Sequence, residues 1–161
     1  MKRRDLEKAL LILETTPFVY ESVVLGGDPA LRRKIEDLLW EAVAIEEHVW
    51  SARIRLLSGD SPAILPPLDR EGARRIACGK TGARAAVAAF LRLRRQNSRF
   101  IRSISPATVG RSAPLEGGGI FSVEDLPGAM AEEDQWSLRE LARRIVSPAA
   151  RACREPVLAA V

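Results

Sequence analysis

Apolar residues recur at helical spacing in four long stretches of the chain. In the first stretch, Asp5 to Leu25, they fall three or four residues apart, as in an amphipathic helix. The apolar positions expected to face a core are Leu6, Leu10, Leu13, Val19, Val23 and Val24. Thr16-Pro17 within this stretch marks a kink or a new helix start, because proline lacks an amide donor but suits a first helical turn. Gly26-Gly27 ends the helix.

A second, longer helix is predicted to begin at Asp28-Pro29, which has the chemistry of an N-cap and a first turn. Its apolar stripe comprises Leu38, Ala42, Ile45, Val49, Ala52 and Leu56. The polar residues Arg32, Glu36, Glu46 and Arg53 lie largely off this stripe. The pattern therefore predicts one buried face and one solvated face, up to a stop at residues 58–62.

The prolines at 66 and 67 make the stretch Ala63 to Leu68 an extended linker that crosses the bundle. A third helix is predicted from Lys80 or Thr81 to Ser105-Pro106. The residues expected to face its core are Ala85, Ala89, Leu93, Phe100, Ile101 and Ile104. Val109 to Ile120 is rich in glycine and poor in apolar residues, which predicts a mobile loop.

The last helix is predicted to run from Ser122 to Val146 and to end at Ser147-Pro148. Ser122 followed by Asp125 approximates a capping box. Four long helical segments without a strand-like alternation predict an all-α fold, an antiparallel four-helix bundle with a long crossover linker between helices two and three. Residues 1–148 form one domain, and residues 149–161 form a tail or a short C-terminal helix.

Composition agrees with one domain and narrows its partners. The chain has 161 residues, 47% of them hydrophobic, and 25 basic against 21 acidic residues that are interspersed along it, which indicates a solvated surface and no nucleic-acid partner. No apolar run approaches the roughly 20 residues of a membrane span, so we expect a cytoplasmic protein without a membrane partner. Cys78 and Cys153 stand far apart and outside any metal-binding motif, and both are read as reduced thiols.

Several fragments, taken in order, resemble the DinB-like (DinB/YfiT) superfamily of four-helix bundles over nearly the whole chain. They are Leu11-Ile12-Leu13-Glu14-Thr15-Thr16-Pro17, Glu47-His48-Val49-Trp50-Ser51-Ala52-Arg53-Ile54, Leu65-Pro66-Pro67-Leu68-Asp69, Phe90-Leu91-Arg92-Leu93-Arg94-Arg95-Gln96-Asn97 and Ser122-Val123-Glu124-Asp125-Leu126. The resemblance implies a divalent metal bound by one histidine of the second helix and two of the last. Such a site suits metal-activated water or a metal-bound thiolate.

This sequence departs from that pattern at all three ligand positions. The resemblance places them at Ala42, Glu133 and Ser137, so that an alanine, a carboxylate and a hydroxyl replace the histidines. His48 is the only histidine in the chain, and no other alignment restores three. The sequence therefore predicts that the metal site is lost and that the protein has no cofactor.

Some charged residues invite a functional reading that the sequence does not favour. Glu47 and His48 are weaker site candidates, because they and the acids Glu46, Glu132, Glu133 and Asp134 lack the Glu-x-x-His motif of carboxylate-bridged metal bundles. The acids are expected to line solvated helix faces, and His48 to lie at the surface or its boundary. Glu133 lies on an apolar stripe, and a buried carboxylate needs protonation or a partner. A structural polar contact is favoured over a catalytic base.

The other candidates have structural explanations too. The arginines of the third helix are expected to be exposed: Arg92, Arg94, Arg95, Arg99 and Arg102. Gly79-Lys80-Thr81 lacks the upstream glycine of a phosphate-binding loop. Trp40, Trp50 and Trp136 are expected to pack in the core or at a subunit interface.

Two functions remain open at this stage. The favoured one is a non-enzymatic module that binds a small molecule or another protein, and the resemblance implies a homodimer. The alternative is a hydrolase or a thiol-dependent transferase with altered metal ligands. It requires an open cleft bounded by Ala42, Glu133 and Ser137.

Overall fold

The computed structural model of the chain describes residues 3–59 and 63–146. Its helices are α1 (Arg3–Gly26), α2 (Pro29–Ile45), α3 (Ser51–Ser58), α4 (Arg70–Ala77), α5 (Ala83–Arg102), α6 (Pro106–Val109) and α7 (Leu126–Val146). Two short strands, β1 (Ser112–Pro114) and β2 (Ile120–Ser122), pair antiparallel. The expected end of α7 at Ser147-Pro148 and the tail at 149–161 lie outside the described residues.

The predicted all-α four-helix bundle is confirmed, and its long helices are α1, α2 with α3, α5 and α7. Asp28 caps α2, its carboxylate accepting a hydrogen bond from the amide of Leu31 at 2.7 Å, with Pro29 in the first turn. α1 continues through Thr16-Pro17 without a break, so the prediction that a new helix starts there is wrong. The Thr16 hydroxyl donates to the carbonyl of Ile12.

The long crossover sets the directions of the four helices. Arg102 at the end of α5 forms an ion pair with Glu14 in the first half of α1, so these helices run antiparallel. Arg144 at the end of α7 reaches Asp37 in the middle of α2, while Asp134 in the first half of α7 shares Arg94 with Glu46 just after α2, so α2 and α7 are antiparallel too. Because the chain crosses the bundle between α3 and α5, α2 and α5 run parallel, and α1 and α7 do too. The order is up, down, down, up.

A π-turn at Glu46–Trp50 joins α2 to α3. Its wider winding adds one residue to the turn, which rotates the following side chains by about 100° relative to an unbroken α-helix. The predicted stripe therefore holds before the turn and fails after it: Ala52 and Leu56 are only half-buried, while Arg53 and Leu57 are buried. The expectation that Arg53 lies on a solvated face is wrong for the same reason. Glu46 is buried too, although it precedes the shift, because every residue from Glu41 to Glu46 is buried.

The crossover linker contains a helix that the sequence analysis missed. α4 has an Asp69 cap, whose carboxylate accepts from the amide of Gly72 at 2.8 Å. Buried Arg53 fixes the linker, donating from Nε and Nη2 to the carbonyl of Pro66 at 2.9 and 2.8 Å. Its guanidinium also lies between the rings of Trp50 and Phe121.

The stretch expected to be a mobile loop is held in place. α6 covers its start, and the β1–β2 hairpin turns through glycines 117–119, which all have positive φ angles. Backbone hydrogen bonds of 2.9 Å link Leu65 to Pro114 and Glu116 to Leu65. Leu65 is fully buried, so the hairpin packs on the crossover linker through main-chain groups that composition alone does not reveal.

Two smaller expectations also need correction. α5 begins at Ala83 and ends at Arg102, and it buries Ala83, Ala86, Val87 and Phe90 while Ala85 is exposed. On α1, Val19 is exposed and Tyr20 is buried instead. Leu13 and Val24 on α1, and Leu93 and Ile101 on α5, are buried as predicted, so only part of each stripe is displaced.

α1 is long and apolar enough to cross a membrane by length and composition, and only 33% of its apolar window is buried. The expectation that no segment meets this criterion is therefore corrected for residues 5–26. Core helices of soluble bundles pass the same test, and α1 packs against α5 and α7. The expectations of no membrane partner and a cytoplasmic location stay predictions.

Candidate functional site

A layer of buried polar side chains crosses the middle of the bundle, between two apolar clusters. One cluster surrounds Leu13, Trp50 and Leu126, and the other surrounds Tyr20, Leu38 and Phe90. The buried polar residues of the described chain are Thr16, Glu41, Glu46, Arg53, Arg94, Asn97, Glu133, Asp134 and Ser137. All except Arg53 belong to this layer or border the small cavity beside it.

Arg94 is the centre of the layer. Its guanidinium donates to Asp134 through Nη1 (2.6 Å) and Nη2 (2.7 Å), and to Glu46 through Nη2 (2.8 Å) and Nε (3.1 Å). Asn97 donates to the same Glu46 carboxylate at 2.8 Å. The side chains of all three charged residues are at most 4% exposed. One guanidinium on α5 thus joins Glu46, just after α2, to Asp134 of α7.

Glu46 lies where α2 passes into the π-turn, and its amide still bonds to the carbonyl of Ala42 as in an α-helix. Ser51 closes the turn by donating its amide and its hydroxyl to the Glu46 carbonyl, the latter at 2.9 Å. The same hydroxyl lies 3.2 Å from Oδ1 of Asn97, which ties the turn to α5. The Ser51 hydroxyl therefore ties the π-turn to the two residues, Glu46 and Asn97, that form this side of the layer.

Two buried carboxylates, those of Glu46 and Asp134, share the single guanidinium of Arg94. Burial raises the pKa of Glu46 above its usual range, although the charge of Arg94 acts in the opposite direction. Burial raises the pKa of Asp134 in the same way. Burial alone lowers the pKa of Arg94, but the charges of Glu46 and Asp134 outweigh it and the pKa lies above its ordinary value. Arg94 therefore stays a cation, and any proton the cluster takes up goes to a carboxyl.

Two further carboxylates border the cavity, and each is paired with an arginine of α4. Arg70 donates to both oxygens of Glu133, at 3.3 Å from Nε and more closely from Nη2. The guanidinium carbon of Arg70 also lies 3.8 Å from the centre of the Trp136 ring. Arg74 donates to Glu41 at 2.9 Å. The missed helix α4 thus covers this side of the bundle.

Glu41 is only partly satisfied by Arg74. Burial raises its pKa, against the hydrogen bond and charge of Arg74. Within the part of the chain that the structure describes, its Oε1 and the indole nitrogens of Trp40 and Trp50 are the buried side-chain atoms without a hydrogen-bond partner. An acceptor and two donors without partners mark positions where bound water would be stabilised.

Ser137 pairs with the single tyrosine of the chain. The hydroxyls of Tyr20 and Ser137 lie 2.5 Å apart in a fully buried contact between α1 and α7. Burial raises the pKa of Tyr20, more than the hydrogen bond from Ser137 lowers it. The hydroxyl of Ser137, which stands at a predicted ligand position, is therefore engaged in a hydrogen bond within the core.

The structure brings the three main candidates together. Ala42, Glu133 and Ser137 are all buried and line one cavity of about 10 Å³, with Trp50 and Arg94 among its other walls. The weaker candidates Glu47 and His48 lie elsewhere: their side chains are 49% and 53% exposed, and they do not border the cavity. Their nearest atoms are 3.9 Å apart, on the outer face of the π-turn.

Sequence reasoning missed the residues that dominate the site. Glu46 and Asp134 were expected on solvated faces and Arg94 among exposed arginines, yet all three are buried. A signal for Arg94 existed: it follows Phe90 by four residues and precedes Asn97 and Ile101 on the buried stripe of α5. A charged residue in that register indicates a buried ion pair. Of the three tryptophans, Trp50 is in the core, while Trp40 and Trp136 are half-buried.

A metal does not fit these residues. In residues 3–59 and 63–146 no three histidine, cysteine, aspartate or glutamate side chains are grouped closely enough to hold a metal ion. Ala42 offers no donor atom, Ser137 is hydrogen-bonded to Tyr20, and Glu133 is bonded through both oxygens to Arg70. A guanidinium occupies the lone pairs that a divalent cation would need.

No family model matches the chain, and no curated protein matches its sequence. Among solved structures it is similar to YfiT from Bacillus subtilis, described as a probable metal-dependent hydrolase with an unusual four-helix bundle topology. The match has a TM-score of 0.71 at 16% identity and covers 90% of each chain. The predicted DinB/YfiT-like fold is thereby confirmed. A likeness at this identity concerns the fold alone.

Proposed function

We propose that this DinB/YfiT-like bundle is a non-enzymatic interaction module in which arginine–carboxylate pairs replace a metal centre. One observation carries the proposal: all four carboxylates at the cavity are already bonded to arginines. Arg94 binds Glu46 and Asp134, and α4 supplies the cations for Glu133 and Glu41. Such pairs hold helices together in a fixed arrangement, and Oε1 of Glu41 is the one carboxylate oxygen at the cavity without a hydrogen-bond partner within the described residues.

The size of the cavity supports the same function. About 10 Å³ is close to the space of a single water molecule, whereas small-molecule sites enclose roughly 300–1,000 Å³. The alternative, a hydrolase or thiol-dependent transferase with altered ligands, requires an open cleft between Ala42, Glu133 and Ser137. Side chains fill most of the space between these three residues, which favours the non-enzymatic module over the enzyme.

Metal analysis of the purified protein tests this proposal. The protein is dialysed against zinc, nickel or ferrous iron and then against buffer, and the bound metal is measured by mass spectrometry. We expect no stoichiometric metal. One metal ion per chain, lost in Glu133→Gln, would overturn the proposal and favour the alternative, a hydrolase or thiol-dependent transferase.

A variant of the same three positions provides the positive control. Ala42→His, Glu133→His and Ser137→His together place imidazoles on the two facing helices, and we expect this triple variant to take up zinc if it remains folded by circular dichroism. If the triple variant binds zinc and the natural chain does not, the side chains at these three positions account for the absence of metal binding. The fold itself would then be competent for metal.

A further inference from the structure

Two indole rings and two buried carboxylates lie on the side of the bundle that residues 70–80 cover. Trp40 and Glu41 are consecutive residues of α2, and Glu133 and Trp136 lie three residues apart on α7, so each helix contributes one ring and one carboxylate. Glu41 is 2% exposed and Glu133 is 6% exposed, whereas both rings are half-buried. We call these four residues the cation face.

Cations of the chain itself occupy both rings of this face. The guanidinium carbon of Arg70 lies 3.8 Å from the centre of the Trp136 ring, and the same group donates to both carboxylate oxygens of Glu133. The ammonium nitrogen of Lys80 lies 5.2 Å from the centre of the Trp40 ring. The cation face therefore accepts a guanidinium on its α7 side and an ammonium group on its α2 side.

These internal cations leave the α2 side incompletely bonded. Arg74 donates to Oε2 of Glu41, but Oε1 of Glu41 and Nε1 of Trp40 have no hydrogen-bond partner among the described residues, although both atoms are buried. The side chains of Arg70 and Arg74 are 30% and 54% exposed, and Lys80 is exposed as well. Each of the three can turn into solvent while α4 stays folded, and the buried carboxylates then need a replacement cation.

We propose that the cation face binds a small dication, with a guanidinium at one end and an ammonium group at the other, in place of the Arg70 and Arg74 side chains. The guanidinium takes the position of Arg70, stacked on Trp136 and bonded to both oxygens of Glu133, a geometry that requires a planar, forked donor. The ammonium group lies at the other ring and donates to the free oxygen of Glu41.

Spacing and charge both favour this ligand. Arg70 and Arg74 stand four residues apart on α4, about one helical turn of 5.4 Å, so a short alkyl chain can join the two cationic groups. The adjacent buried layer holds two more carboxylates for the single guanidinium of Arg94, and this excess of negative charge attracts cations and repels anions. The inference rests on the proposed function, since it requires that the face binds organic cations and no metal ion.

Calorimetric titration with agmatine tests the site, because agmatine carries a guanidinium and an ammonium group on a butyl chain. We expect the natural chain to bind it, and Arg70→Ala to bind it about tenfold more tightly, since an internal competitor that fills the site about nine-tenths of the time weakens the apparent affinity by that factor. Arg75→Ala, at an exposed position of α4, is the matched control and should bind like the natural chain. Absence of binding to the natural chain, or equal affinities of the natural chain and Arg70→Ala, would overturn the proposal.

Two analogues of agmatine test the ends of the site separately. Butylguanidinium lacks the ammonium group and putrescine has a second ammonium group instead of the guanidinium, so both should bind more weakly than agmatine. Glu41→Gln should weaken the binding of agmatine and leave that of butylguanidinium unchanged, which a general loss of stability would not do. Equal affinities of the three compounds, or a Glu41→Gln variant that weakens all of them alike, would overturn the proposal in favour of unspecific attraction of cations.

A peptide distinguishes a free ligand from side chains of a protein partner. An acetylated, amidated peptide that contains one arginine and one lysine should bind more weakly than agmatine, and tighter binding of the peptide would overturn the proposal in favour of a protein. Metal analysis of the same samples separates the two proposals. Bound metal in the natural chain contradicts the proposed function, whereas a metal-free chain that binds no agmatine contradicts only the present inference.

Discussion

Arg94 and Asp134 face each other in the core through two parallel hydrogen bonds, with Nη1–Oδ2 and Nη2–Oδ1 distances of 2.6 and 2.7 Å. Arg94 donates in the same plane of the bundle to Glu46. This fork–fork geometry fixes α5 against α7 at one height. It also means that removing the guanidinium leaves two buried carboxylates without a cation.

Arg94→Met is therefore expected to lower the free energy of unfolding by about 3–5 kcal/mol, the usual effect of breaking a buried ion pair from one side. Urea denaturation followed by circular dichroism measures the loss. Arg95→Met is the matched control, since Arg95 is the exposed neighbour on the same helix and its loss should change little. Equal effects of the two substitutions would contradict the buried network.

The same cluster can be replaced as a unit. Arg94→Met combined with Glu46→Gln and Asp134→Asn removes all three charges while keeping side-chain volumes similar. We expect this triple variant to recover most of the stability lost in Arg94→Met, because no unpaired charge remains. A triple variant as unstable as the single one would show that the hydrogen bonds matter more than the charges.

Stability should fall as the pH rises above the ordinary carboxyl range. Burial raises the pKa of Glu41, Glu46 and Asp134 in the folded chain. Between the unfolded carboxyl pKa of about 4 and the raised values, the folded state therefore holds more protons than the unfolded state, and increasing pH removes that advantage. Thermal denaturation across a pH series measures the slope.

Glu41→Gln isolates one of these groups. The substitution removes a titrating carboxyl. Its partner Arg74 is 54% exposed, so that guanidinium stays solvated when the carboxylate is gone. We expect the variant to gain stability relative to the natural chain as the pH increases from about 4 toward neutral. Glu71→Gln, at an exposed position of α4, is the control with a parallel profile. Parallel profiles for all three proteins would refute the shift at Glu41.

Tyr20 offers a spectroscopic test, because it is the only tyrosine. Burial raises its pKa above the ordinary value of about 10, so tyrosinate absorbance should develop only at higher pH. We expect ionisation and loss of helical circular dichroism to coincide. Ionisation in the ordinary range with the helices intact would contradict the buried contact with Ser137.

The ion pair between Arg70 of α4 and Glu133 of α7 holds α4 over the cavity side of the bundle. Arg70→Ala leaves a buried carboxylate without its cation and is expected to lower the unfolding free energy by about 1–3 kcal/mol. Glu133→Gln in the Arg70→Ala background should recover part of this loss. A double-mutant cycle in urea gives the coupling, and additive effects would contradict the ion pair. Arg75→Ala, on an exposed face of α4, is the control.

Periodicity in the sequence was sufficient for the architecture. Four amphipathic stretches, the Asp28 cap and the Ser122–Asp125 capping box locate the long helices, because caps and apolar stripes depend on neighbours within a turn or two. The order of the fragments also indicated the DinB/YfiT-like fold. Short elements were missed: α4 has only eight residues, four of them charged, and the hairpin depends on backbone bonds to Leu65.

The sequence by itself determined the bundle, and the count of one histidine determined that three cannot meet at one site. Only the tertiary structure decided what lies at that position. The π-turn at Glu46–Trp50 shifts the buried face of α3, and the parallel course of α2 and α5 brings Glu46 to Arg94, 48 residues away. Helical periodicity extrapolates a constant 3.6-residue turn. It therefore could not reveal a register shift, or a contact that depends on how distant helices meet.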